Sequence, residues 1–110
     1  MPSYEVLSAQ QAELLIAAET VKILDMRDAR SYRAGHIDGA VLLHDGLERV
    51  LIEEAVHDLP LLVYCYRGIK SKEKALELAC HGFTRVYALA EGFTGWRRER
   101  EQTEPGGDES

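Results

Sequence analysis

Leu61-Leu62-Val63-Tyr64-Cys65-Tyr66-Arg67-Gly68-Ile69-Lys70-Ser71 is the stretch that decides the fold. Its first four residues form an unbroken apolar run of strand length, the pattern of a strand covered on both faces. Ser71 reads as a helix N-cap, and an apolar stripe of Leu76, Ala79 and Cys80 follows it. Gly82 stands where a helix closes in the left-handed conformation. Buried strand, short loop and capped helix make the unit from which parallel sheets are built.

The same alternation extends in both directions. Tyr4-Glu5-Val6 reads as a short edge strand, and Ser8 with Gln11 three residues later as a capping box. The helix they open carries Ala12, Leu15, Ile16 and Ala18 at helical spacing. Val21–Leu24 reads as a strand, Asp28 as the cap of a short helix ending at Gly35, and Ala40–Leu43 as another strand. Leu47, Val50, Leu51, Glu54 and Ala55 define an amphipathic helix that ends before Pro60. Beyond Gly82, Arg85–Ala88 is a strand and Phe93–Arg100 the last helix. Strands and helices alternating through short links predict an α/β domain, whose ligands bind outside the carboxyl ends of the strands.

Composition sets the outer bounds. The chain has 110 residues, 45% apolar and 29% charged, enough for one soluble domain with a core. Its 13 basic and 19 acidic side chains give a net charge of −6. Of this, −4 falls in residues 101–110, which hold Glu101, Glu104, Asp108 and Glu109 and no basic residue. That segment is expected to be a disordered acidic tail behind a domain spanning residues 1–100. The acidic balance argues against nucleic acid and anionic membranes as partners. The longest apolar run, Leu59 to Tyr66, is eight residues and contains Pro60, short of the ~18 needed to cross a bilayer. The first residues, Met1 to Val6, show neither the basic flank nor the apolar stretch of a signal peptide. Two cysteines do not make a disulfide scaffold, so a cytoplasmic setting with reduced thiols is expected.

Cys65 is the candidate nucleophile. A loop leaving a strand and entering a helix turns backbone N–H groups, and the positive end of the helix, toward its own centre. A thiol held there is acidified. Arg67 and Lys70 add two cations, and Gly68 allows backbone conformations closed to other residues. Cys80 reads instead as an inert core thiol on the stripe of its helix. About nine helical residues place it roughly 13 Å from Cys65, beyond the ~7 Å that a disulfide spans.

Taken together these pieces resemble the single-domain rhodanese-like sulfurtransferases. The resemblance covers about residues 4–98. It rests on Asp25-Met26-Arg27, on Tyr32 to Ala40 with its Gly35-His36-Ile37, on the loop Cys65 to Ser71, and on Gly82 to Gly92 followed by Trp96. It implies an α/β fold with a central, mainly parallel sheet of about five strands and helices on both faces. It also implies that Cys65 takes sulfane sulfur from thiosulfate or a similar donor, holds it as a persulfide and passes it to a thiol or protein acceptor, with no cofactor. Tyr66, Arg67, Gly68, Ile69, Lys70 and Ser71 are then the substrate-binding loop. The family commonly has two glycines before the last helix; here Glu91 precedes Gly92, which bears on a turn. The fold has a phosphatase branch that needs an Arg six positions after the cysteine; Ser71 stands there, which disfavours that chemistry. A protein-to-protein sulfur relay and an idle binding module are the alternatives, the second opposed by the presence of Cys65.

Other residues receive plainer readings. Asp25 and Arg27 are read as an ion pair bracing the strand end beside the loop rather than as an acid/base pair. His36 is read as a hydrogen-bonding residue of a turn near the site. His36, His44, His57 and His81 have no zinc spacing, so no metal is expected. Trp96, Arg97, Arg98 and Arg100 are read as one core anchor and a solvated face, with a partner-docking surface as the alternative.

Overall fold

Parallel strands need helical crossovers, and the chain supplies one between each successive pair. A computed structural model describes residues 1–54 and 56–103. Its strands are β1 (Glu5–Leu7), β2 (Lys22–Asp25), β3 (Val41–Leu42), β4 (Leu61–Tyr64) and β5 (Val86–Leu89). Between and after them run α1 (Ala9–Ala18), α2 (Ala29–Ala34), α3 (Asp45–Glu53), α4 (Lys70–Cys80) and α5 (Gly92–Thr103). The sheet order is β1-β5-β4-β2-β3 with every pairing parallel. The all-apolar β4 is the central strand, and its four residues are fully buried.

Alternation along β4 divides the core. Leu61 and Val63 point into one layer with Ala75, Leu78, Ala79 and Phe83, flanked by Leu47 and Leu51. Leu62 and Tyr64 point into the other with Ala12, Ile37, Leu89 and Trp96, flanked by Ile16 and Phe93. Helices α3 and α4 therefore cover one face, and α1 and α5 the other. Trp96 is a core anchor, and the ring carries the Arg100 guanidinium at 5.5 Å.

Local signals account for most element ends. Ser8 and Gln11 form the reciprocal capping box expected of them. Asp28 caps α2 by accepting from Ser31 N at 2.8 Å, and Gly35 closes that helix. Gly82 takes a φ of +102° after α4. Strand β1 begins at Glu5 rather than Tyr4, and the other strands sit within a residue or two of expectation.

Four expectations are corrected. Cys80 is exposed, not a core thiol, and Leu76 is exposed with it. The buried stripe of α4 is Ala75, Leu78 and Ala79. At 100° per residue, positions 76 and 80 fall on the outer flank of that stripe. Val50 of α3 is likewise exposed, since Leu47 and Leu51 already make the contact with the core. Ala55, expected in the same helix, lies outside the described residues. Helix α5 runs on to Thr103 instead of stopping at Arg100, and an Arg97–Glu101 pair spans its last turns. The remainder of the expected tail, 104–110, lies outside the described residues.

Candidate active site

Register brings two strand ends together. Asp25 ends β2 and Tyr64 ends β4, and the two are partners across the sheet. Cys65 follows directly, at the carboxyl end of the central strand and 7% exposed. The loop then turns back over its own sulfur. Cys65 Sγ accepts N–H bonds from Gly68 at 3.3 Å and Ser71 at 3.4 Å. The Ser71 hydroxyl, fully buried, lies 3.5 Å away, where it accepts from the thiol and, once the thiol ionises, donates to it.

This geometry corrects the reading of Ser71 as an N-cap. The N-cap of α4 is Ile69, with no side-chain cap bond, and Ser71 lies inside the first turn. The Ser71 N–H of that turn is satisfied by the Cys65 sulfur instead. The thiol is thus the cap of the helix, six residues upstream in sequence. Burial pushes the Cys65 pKa up, but the Ser71 hydroxyl and the N–H groups of Ser71, Gly68 and Lys70 outweigh it, and the pKa falls below the ordinary thiol value. These dipoles, rather than the Arg67 and Lys70 charges, are the source of the acidity. Both side chains are exposed, beside the exposed Ile69 at the mouth of the loop, and among the described residues neither forms an ion pair.

Two glycines make the cradle possible. Gly68 has a φ of +92°, and a Cβ there would strike the Ala90 carbonyl oxygen and lie 2.8 Å from its carbon. Gly92, at φ +61°, packs so closely that a Cβ would stand 2.6 Å from Cys65 O. That approach lets the first turn of α5 hold the loop from behind. Phe93 N donates to Cys65 O at 2.8 Å and Thr94 N to Tyr66 O at 3.0 Å. Glu91, in the place where the family commonly has a glycine, pairs with Arg98 of this helix.

Beneath the loop lies a buried polar network. Asp25 and Arg27 are 0% and 8% exposed. Arg27 N, Nε and Nη2 donate to the Asp25 carboxylate, Nη2 at 2.8 Å, and Nη2 also donates to Gly35 O at 2.6 Å. The Tyr64 hydroxyl donates to Asp25 Oδ2 at 2.6 Å and accepts from Ile37 N at 3.2 Å. Burial, and then the bond to Asp25, hold the Tyr64 pKa well above the usual phenol range. The Arg27 guanidinium lies 4.0 Å from the Phe93 ring centroid, which ties the network to the helix that backs the loop.

Sequence reasoning placed the Asp25–Arg27 pair but missed Tyr64, Phe93 and the tether on Tyr66. The Tyr66 hydroxyl donates to Asp28 Oδ2 at 2.5 Å and lies 2.9 Å from Ser31 Oγ, anchoring the loop to the start of α2. That bond first, and the Ser31 N–H second, hold the Asp28 carboxyl down at about 2. His36 is not part of this assembly. It stacks on Tyr32 at 3.8 Å, its Nδ1 lies 2.7 Å from Tyr32 O, and it faces a separate hollow beside Trp96. Among the described residues, no three His, Cys, Asp or Glu side chains are grouped to hold a metal ion. No described helix is long and apolar enough to cross a membrane.

A thiol cradled by N–H groups at the carboxyl end of the middle strand defines a cysteine-centred α/β domain. A family model described as the rhodanese-like domain matches residues 8–99, and the chain belongs to that family. It is 42% identical over 96 residues to the thiosulfate sulfurtransferase GlpE of Shewanella oneidensis, spanning 87% of this chain and 95% of the relative. It is 39% identical over 97 residues to the protein of the same name in Pseudomonas entomophila, 88% of each. Among solved structures, a Rhodopseudomonas palustris protein described as a possible tyrosine phosphatase superposes with a TM-score of 0.74 at 27% identity, covering 87% of this chain and 81% of that one. A rhodanese-related protein from Thermoplasma volcanium gives 0.73 over 87% and 93%, at 21% identity.

Proposed function

We propose that this chain is a thiosulfate sulfurtransferase in which Cys65 carries the sulfur. The observation that supports it most is the sulfur cap of α4: a thiol receiving two N–H bonds and facing a hydroxyl, with its pKa lowered and no base required. The Cys65 thiolate attacks the sulfane sulfur of thiosulfate. A bond forms between the two sulfurs, the S–S bond of thiosulfate breaks, and sulfite leaves with the electron pair. The product is the Cys65 persulfide anion, and the same N–H groups are placed to stabilise its charge. A thiophilic acceptor, such as cyanide, a small thiol or a protein thiol, then takes the outer sulfur and restores the thiolate.

Arg67 and Lys70 receive the sulfonate of the donor. They are exposed cations of the loop itself, and among the described residues neither is paired with a carboxylate. Arg presents a fork to sulfonate oxygens and Lys a point charge. Thiosulfate, a dianion, is therefore preferred over 3-mercaptopyruvate, which brings a single carboxylate charge. The placement of Ser71 argues against phosphoryl transfer, because the sixth residue after Cys65 brings a hydroxyl to the sulfur rather than a guanidinium to a phosphoryl group.

Transfer from thiosulfate to cyanide tests the reading. Cys65→Ser should abolish it and Cys80→Ala should retain most of it, since Cys80 is exposed at the far end of α4. Substantial transfer by Cys65→Ser would sink the mechanism.

A further inference from the structure

Tyr66 stands next to the nucleophile and is held at both of its ends. Its carbonyl accepts from Thr94 N of α5 at 3.0 Å. Its hydroxyl donates to Asp28 Oδ2 at 2.5 Å and lies 2.9 Å from Ser31 Oγ. The bond to Asp28 is of the short, charge-assisted O–H···O⁻ kind. The other oxygen of that carboxylate caps α2 by accepting from Ser31 N at 2.8 Å. One aspartate therefore joins the first turn of α2 to the sulfur loop. The Tyr66 residue is 47% exposed, so burial alone does not fix its ring. Its hydroxyl does, with the Arg27 guanidinium 5.8 Å from the ring centroid.

The two N–H groups that reach Cys65 Sγ are held differently. Ser71 N belongs to the first turn of α4, and the helix sets its direction. Gly68 N, at 3.3 Å from the sulfur, belongs to no helix or strand. Its direction depends on the torsions between Tyr66 and Gly68. Gly68 has a φ of +92°, a conformation that glycine enters and leaves freely. Arg67, between the two, is exposed. Tyr66 is thus the last side chain before this donor that is tied to a neighbouring element.

We propose that Tyr66 is a positioning residue: by holding Asp28, its hydroxyl aims the Gly68 N–H at the Cys65 sulfur. This role concerns the resting thiol, and it bears on sulfur transfer only through the reading of Cys65 as the carrier. The Ser71 hydroxyl and N–H remain in place when the tether is cut, so the thiolate loses part of its stabilisation and not all of it.

Two variants cut the tether from opposite ends. Tyr66→Phe keeps the ring. Asp28→Ser keeps a capping oxygen for α2 but is too short to reach Tyr66. Arg67 and Lys70, the charged side chains of the loop, are untouched by either. The rate of iodoacetamide alkylation is followed against pH on the peptide containing Cys65, so that Cys80 does not contribute. In both variants the midpoint should move to higher pH. On the acid side of the midpoint the rate should fall about threefold, as for one weakened hydrogen bond, and kcat/KM with thiosulfate should fall with it. Above the midpoints the rates should converge on that of the wild type, because the thiolate is then fully formed with or without the donor. The double variant should be no worse than either single one, since both remove the same bond. An unchanged profile in Tyr66→Phe, a deficit of equal size at every pH, or deficits that multiply in the double variant would overturn the positioning role and leave Cys65 as carrier. Shifted profiles in protein whose Cys65 never takes sulfur from thiosulfate would support the positioning role and overturn the carrier reading instead.

Discussion

At the residue scale the chemistry is one sulfur in a ring of donors. Ser71→Ala removes the hydroxyl at 3.5 Å and leaves the backbone N–H bonds. A hydrogen bond to a charged group is worth about 1.5–3 kcal/mol, so the Cys65 pKa should rise. The rate of iodoacetamide alkylation against pH reads it. The wild-type midpoint should lie below the free-thiol value of about 8.5, and a midpoint at or above that value would contradict the electrostatic account. The sign for stability follows from the lowered pKa. The contribution of Cys65 is complete above the ordinary thiol range and is lost as pH falls through the depressed value. The position of Cys65 past a buried strand was legible in the sequence. The role of Ser71 was not, because a Ser before an apolar stripe looks the same whether its hydroxyl caps the helix or faces a sulfur six residues upstream.

At the element scale, the loop is held at three places: by α4 through the sulfur, by α5 through two carbonyls, and by α2 through Tyr66. The glycines decide whether the first two hold. Gly68→Ala puts a Cβ against the Ala90 carbonyl at a φ of +92°. The conformation alone costs about 1–2 kcal/mol, so the variant should unfold at lower denaturant and lose transfer activity. Tyr66→Phe removes the hydroxyl that does most to lower the Asp28 pKa. The Asp28 carboxyl should rise from about 2 toward the ordinary carboxylate range, as read by NMR titration. A value that stays near 2 would show that the Ser31 N–H suffices. The tether contributes above the ordinary carboxylate pKa and fades as pH falls toward the lowered one. Removing Asp25 leaves the Arg27 charge buried and the Tyr64 hydroxyl without its acceptor, so Asp25→Ala should cost about 3–5 kcal/mol in equilibrium unfolding. The Asp25–Arg27 pair could be read from a strand ending in two opposite charges. Tyr64 could not, because within an apolar run its ring reads as core and its hydroxyl goes unseen.

At the scale of the whole molecule, periodicity was enough to read the alternation of strands and helices. The unbroken apolar Leu61–Tyr64 was legible as a strand covered on both faces; its place in the middle of the sheet and the order of the other strands were not, because crossovers do not fix which strands become neighbours. Faces of helices were less legible. Cys80 and Leu76 were assigned to the core because several rotations of α4 fit an apolar stripe, and only the packing of Ala75, Leu78 and Ala79 selects one. Charge is arranged unevenly: a chain of net −6 exposes two cations, Arg67 and Lys70, at the mouth of its site, and neither is paired among the described residues. The efficiency with thiosulfate should therefore fall as salt rises toward 1 M, where the Debye length shrinks to about 3 Å. With a neutral polysulfide donor it should change little. R67A/K70A should lose roughly 10-fold or more in kcat/KM with thiosulfate and most of the salt dependence. A loss below about threefold would leave donor recognition to the backbone N–H groups alone.

The central claim is that sulfur rests covalently on Cys65 between the two half-reactions, and peptide mass spectrometry of protein incubated with thiosulfate tests it most directly. The account predicts one added sulfur on the peptide containing Cys65, none on the peptide containing Cys80, and its disappearance when cyanide is added. An unmodified Cys65 in protein that still turns thiosulfate over, or sulfur carried on Cys80, would contradict it.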